Sequence, residues 1–107
     1  MISTHILDTS LGTPAQGVTV ELFKATNGTW QSLHVALTNA DGRIVFDVPA
    51  EAGDYRLVFG IETYAAQWQM EPFFLDVPIT FRIHNTQRKY HVPLLLNPYG
   101  FSTYRGS

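Results

Sequence analysis

Cysteine is absent from this 107-residue chain. That excludes disulfides, thiolate metal sites and cysteine nucleophiles. Charge is scarce too: Asp, Glu, Lys and Arg together make 15% of the residues, against about a quarter in an ordinary globular domain. The net charge is −2, and Arg82, Arg88 and Lys89 form the one local basic cluster. That is too little to track a phosphate backbone, so no nucleic-acid partner is expected. No apolar run approaches the ~20 residues of a membrane span, and no membrane partner is expected either. The opening Met1-Ile2-Ser3-Thr4-His5 has neither the basic nor the apolar region of a signal peptide. The expected compartment is the cytoplasm, with a mature periplasmic form after signal removal as the alternative.

Aromatic residues, in contrast, are plentiful: seven Phe, five Tyr and two Trp. A small domain rich in aromatics and poor in charge is expected to bury part of its surface against copies of itself. A well-filled core under an uncharged polar surface is the other reading. The length fits one domain over residues 1–107.

Most segments alternate with a period of two, the signature of strands. Ser3–Asp8, Val18–Phe23, Trp30–Thr38, Arg43–Val48, Tyr55–Ile61, Ile79–His84, Tyr90–Leu96 and Tyr99–Tyr104 read as strands. Asn27-Gly28 and Asn39-Ala40-Asp41-Gly42 supply tight turns, and residues 49–54 read as a loop. Thr63–Gln69 lacks Gly and Pro and reads as one short helix, ended by Glu71-Pro72. Short strands with frequent turn signals predict an all-β sandwich or barrel.

Chemistry centres on four histidines: His5, His34, His84 and His91. No two have the close spacing of a metal-ligand pair, so neither metal nor other cofactor is expected. His5 sits among polar neighbours. If Val92, Leu94 and Leu96 point into a core, His91 points outward with Leu95, towards an interface or a cleft. His34 and His84 fall on faces expected to be solvated. Arg43 follows the Asp41-Gly42 turn on the polar side of its strand; an arginine there is usually a solvated charge. It gains interest only if histidines converge on it, because a guanidinium can hold a flat, oxygen-rich ligand by paired hydrogen bonds. No Gly-x-Ser-x-Gly elbow supports a serine nucleophile. The ending Tyr104-Arg105-Gly106-Ser107 gathers hydrogen-bonding groups where a chain end is usually frayed.

Together, Thr4–Ser10, Gly12–Gly17, Asp41-Gly42-Arg43, Tyr90–Leu96 and Tyr104–Ser107 resemble the 5-hydroxyisourate hydrolase (transthyretin-related) family along essentially the whole chain. The resemblance implies a transthyretin-like, eight-stranded β-sandwich with one short helix. It implies a homotetramer, a dimer of edge-paired dimers, with sites in the channel between them. The implied reaction is metal-independent acid/base hydrolysis of 5-hydroxyisourate to 2-oxo-4-hydroxy-4-carboxy-5-ureidoimidazoline, in urate breakdown. Carried over residue by residue, it makes His5, Arg43, His91 and Ser107 catalytic, Ser107 through its hydroxyl or a terminal carboxylate. It makes His5, Arg43, Tyr104, Arg105 and Gly106 substrate-binding. The rival expectation is a transthyretin-like carrier of a small ligand, without catalysis; a purely structural sandwich would leave the His and Arg groups unexplained.

Overall fold

The computed structural model describes residues 1–49 and 51–107. Ala50, in the expected 49–54 loop, lies outside the described residues. The elements in chain order are β1 (Ile2–Asp8), β2 (Thr13–Pro14), β3 (Thr19–Thr26), β4 (Thr29–Leu37), β5 (Arg43–Phe46), β6 (Gly53–Gly60), α1 (Ile61–Gln67), β7 (Asp76–Ile83), β8 (Tyr90–Asn97) and β9 (Gly100–Thr103). The eight strands read from the alternation are all present, with ends displaced by a few residues. Two-residue β2 is an addition, pairing Thr13 and Pro14 with Asp8 and Leu7.

The strands form two sheets. One runs β2-β1-β8-β9, with β5 also pairing β1; the other runs β4-β3-β6-β7. Their inner faces share one core, filled by Ile2, Ile6, Phe46, Leu57, Phe59 and Leu94 among others, each nearly inaccessible to solvent. Burial of each such side chain contributes about 1.5–3 kcal/mol. Pro78 interrupts no ladder bond that matters, because β7 is an edge strand.

β4 departs from the sequence reading. His34 pairs with buried Leu22 across β3, so it belongs to the inner face, where its ring stands edge-on to Phe46 at 5.9 Å. It is exposed, as expected, because β4 is an edge strand that the opposing sheet hardly covers. Val35 and Leu37 lie on the outer face at 53% and 63% exposure. A register shift between Leu22 and Phe23 marks the irregularity. His84 follows β7 directly and is exposed.

Asp8 anchors the helix to the first sheet. Its carboxylate accepts hydrogen bonds from Tyr64 Oη at 2.7 Å, Ser10 Oγ at 2.6 Å and the backbone N–H groups of Ser10 and Leu11. Burial alone would raise its pKa; these donors outweigh that and hold it below the usual value. Burial and the Asp8 charge push the Tyr64 phenol upward.

Candidate active site

Strand alternation decides which residues meet. In β1, Ile2, Thr4, Ile6 and Asp8 are buried, which turns Ser3, His5 and Leu7 to the outer face. β5 presents Arg43 and Val45 on that face, and β8 presents His91, Pro93 and Leu95. The registers then align them in two rows. Arg43, His5 and Pro93 are successive cross-strand partners, and so are Val45, Ser3 and His91. Residues nearly ninety positions apart in the chain thereby become neighbours, through the parallel pairing of β1 with β8.

The turn before β5 aims Arg43. Asn39 Oδ1 accepts the backbone N–H groups of Asp41 at 2.9 Å and Arg43 at 3.0 Å, an arrangement typical of Asn in turns. Gly42 has φ +72°, and its carbonyl accepts the Ile6 N–H at 2.8 Å. The turn is thus fastened directly beside His5.

The end of the chain closes the row. β9 pairs Thr103 with Leu94. Pro93 has no N–H with which to continue the ladder, and the next contact in the same register is a bridge between His91 and Gly106. The Gly106 N–H donates to the His91 carbonyl at 2.8 Å. Ser107 is thereby brought to a cleft of about 240 Å³ lined by Ser3, Arg43, Val45, Lys89, His91 and Ser107, with Thr4 and Ile44.

His91 is half-buried there, and Ser3 Oγ lies 2.8 Å from its Nδ1. Burial, then the charges of Arg43 and His5, hold its pKa below the ordinary 6.5. The ring is therefore neutral at pH 7 and free to accept a proton. Among the described residues no group of three or more His, Cys, Asp or Glu side chains is arranged to hold a metal ion.

The structure brings Arg43, His91 and Ser107 into the cleft, with His5 beside Arg43 and Gly106 beside His91 but neither lining it. It does not bring Tyr104 and Arg105 to that cleft within one chain. They border a second cavity of about 190 Å³ between the sheet edges, with Ile79, Phe81, Tyr90 and Val92. Sequence reading missed Ser3 and Lys89 as cleft residues. The signal for Ser3 was present, because a residue two before His5 in a strand shares its face. Lys89 read only as part of a hydrophilic turn.

Comparison with known proteins agrees with this architecture. The profile of the HIUase/Transthyretin family matches residues 2–106. A curated 5-hydroxyisourate hydrolase of Salmonella dublin is 44% identical over 110 residues, covering 100% of this chain and 81% of the relative. The solved 5-hydroxyisourate hydrolase of Klebsiella pneumoniae superposes with a TM-score of 0.87 at 42% identity, covering 99% of this chain and 98% of that one. Sea bream transthyretin, solved with thyroxine, superposes with a TM-score of 0.92 at 29% identity, covering 98% and 93% of the two chains.

Proposed function

The chain belongs to the HIUase/Transthyretin family, and from that premise we propose that its outer-face cleft is the active site of a 5-hydroxyisourate hydrolase. The protein hydrolyses 5-hydroxyisourate in urate catabolism. The observation that carries the site assignment is the register that sets Arg43 beside His5 and Ser3 beside His91 on one face.

His91, kept neutral by burial, Arg43 and His5, serves as the general base. It takes a proton from water as the water oxygen bonds to the ring carbonyl carbon. Arg43 holds the substrate and stabilises the oxyanion that forms there. The carbon–nitrogen bond of the ring amide then breaks, and His5 donates a proton to the departing nitrogen. Positioned acid and base groups contribute ~10²–10⁴-fold each. Ser107, which lines the cleft, orients the water. Tyr104 and Arg105 contact substrate from a neighbouring subunit, which accounts for their distance from the cleft within one chain.

The assembly that supplies such a neighbour is a homotetramer in which outer faces pack together. Support comes from the face itself: Val45 is 59% exposed in the single chain, and partly exposed Leu7 and Leu95 flank the polar row. Face-to-face packing covers these apolar groups and encloses the cleft, removing bulk water from the reacting groups.

The carrier reading has the fold in its favour, but a cleft lined by an imidazole, a guanidinium and an ammonium suits a polar, reacting ligand better than an apolar one. One assay separates the two. Hydrolysis of freshly made 5-hydroxyisourate is followed by absorbance for the wild type and for His5→Ala, Arg43→Ala and His91→Ala, with circular dichroism to verify folding. Loss of turnover in the three folded variants is the expected result. Wild-type rates in all three would remove the cleft from the reaction.

A further inference from the structure

The remaining question at the cleft is what sets the orientation of the His91 ring, and the answer rests on the reading of His91 as the base. Two groups meet that ring at different edges. Ser3, its cross-strand partner, places Oγ 2.8 Å from Nδ1. Gly106 covers the Cδ2 edge, where a Cβ on residue 106 would stand 2.6 Å from Cδ2. Gly106 is also tied to the His91 carbonyl through its N–H at 2.8 Å, so its backbone cannot retreat without breaking the bridge. The glycine is required here for close approach, with no role for positive φ.

One ring nitrogen is left over. Nε2 has no hydrogen-bond partner among the described residues, and none of their buried side-chain nitrogens or oxygens lacks one. Nε2 is therefore accessible to solvent, on a residue that lines the cleft. Arg43 lines the same cleft, and a cation favours a lone pair over an N–H on the nitrogen that faces it.

We propose that Ser3 and Gly106 are positioning residues that fix the rotamer and tautomer of His91, with Nδ1–H donating to Ser3 Oγ and the Nε2 lone pair presented to the attacking water. The ring nitrogen that is protonated is set by the bond its other nitrogen makes. When Nε2 takes the proton, the ring becomes an imidazolium, and the Nδ1–H to Ser3 bond becomes charge-assisted and stronger. Ser3 thus contributes most when charge has developed, which is when it accelerates the reaction.

The test joins spectroscopy to kinetics. Long-range proton–nitrogen NMR of the full chain, at a pH where His91 is neutral, should show Nδ1 protonated and Nε2 bare in the wild type. Ser3→Ala should lose that pattern and lower kcat about 10- to 100-fold, the size of effect seen when the partner orienting a metal-bound imidazole is removed, with KM little changed. Ser3→Thr keeps the hydroxyl and should restore both. Gly106→Ala should shift the His91 resonances even where the bridge survives. An Nε2–H tautomer in the wild type, or an unchanged spectrum in Ser3→Ala, overturns the proposal. A wild type inactive on 5-hydroxyisourate would sink the functional reading instead, while the dependence of the spectrum on Ser3 would still decide the tautomer.

Discussion

His5 and Arg43 are direct cross-strand partners between β1 and β5. One lies near the start of the chain and the other follows a mid-chain turn. Their meeting depends on the turn being clamped to β1, since the Gly42 carbonyl accepts from Ile6, the residue after His5. The His5–Arg43 pairing is therefore set by the sheet together with the turn fastened to it. Sites built on paired strands are held more rigidly than sites on loops.

Gly42 is the point where that clamp fails most easily. Its φ is +72°, and a Cβ there would lie 2.5 Å from the Ile6 carbonyl oxygen, a backbone atom that cannot swing aside. The left-handed conformation alone costs a non-glycine residue about 1–2 kcal/mol, and the clash adds to it. Gly42→Ala is expected to lower stability by more than about 2 kcal/mol and to reduce turnover through displacement of Arg43. Urea unfolding and the absorbance assay check the two effects; an unchanged midpoint would show that the turn yields freely.

The pH response follows from His91. Its pKa is lowered in the folded chain, first by burial, then by Arg43 and His5. Below 6.5 the unfolded chain binds a proton that the folded chain still refuses, so stability falls as pH drops from 6.5 through the folded pKa. With His91 as the proposed base, the acid limb of the rate profile should lie under pH 6.5. Arg43→Gln removes one source of the shift and should move the His91 titration upward by NMR, leaving the contributions of burial and of His5. A titration unmoved by that substitution would show that Arg43 does not act on the ring.

Val45 tests the assembly. It is 59% exposed in the single chain, so Val45→Glu should change the stability of the isolated fold by no more than about 0.5 kcal/mol. Burying that carboxylate between packed faces is costly, and light scattering should show a smaller assembly with reduced turnover. A variant of unchanged mass would place the subunit contact elsewhere.

Much of this was legible in the residues. Alternation in Arg43–Val48 and Tyr90–Leu96 gave both strands and their faces, because one side of each packs on the core. It failed at β4, an edge strand where Val35 and Leu37 stay exposed and period two does not say which face is buried. Residue context drew attention to His5, Arg43, His91 and the chain end, but only the family resemblance joined them into one candidate site. Nothing local pairs β1 with β8 in parallel, and that single long-range choice sets Ser3 beside His91. The spacing of Ser3 puts it on the face of His5, but its meeting with His91 waits on that pairing. The family resemblance grouped Tyr104 and Arg105 with Gly106, yet within one chain they border another cavity.

The Tyr64–Asp8 bond holds the only helix among the described residues to the sheet that carries His5. Tyr64→Phe keeps the ring and deletes the hydroxyl. Asp8 then remains buried with one donor fewer, and leaving a buried acceptor short of a partner costs about 1–3 kcal/mol. Asp8 still keeps the bonds from Ser10 and Leu11, so the lower part of that range is expected. The sign with pH is definite. Asp8 titrates below its ordinary value of 3.8 when folded, so its stabilisation is complete above that pH and disappears as pH falls through the folded value. Removing the Tyr64 donor raises the folded pKa towards the unfolded one and shrinks that contribution. The stability difference between wild type and Tyr64→Phe should therefore be largest near neutrality and narrow in acid, as read from urea midpoints at several pH values. A constant difference across the acid range would mean that Tyr64 stabilises through packing, with the Asp8 charge uninvolved.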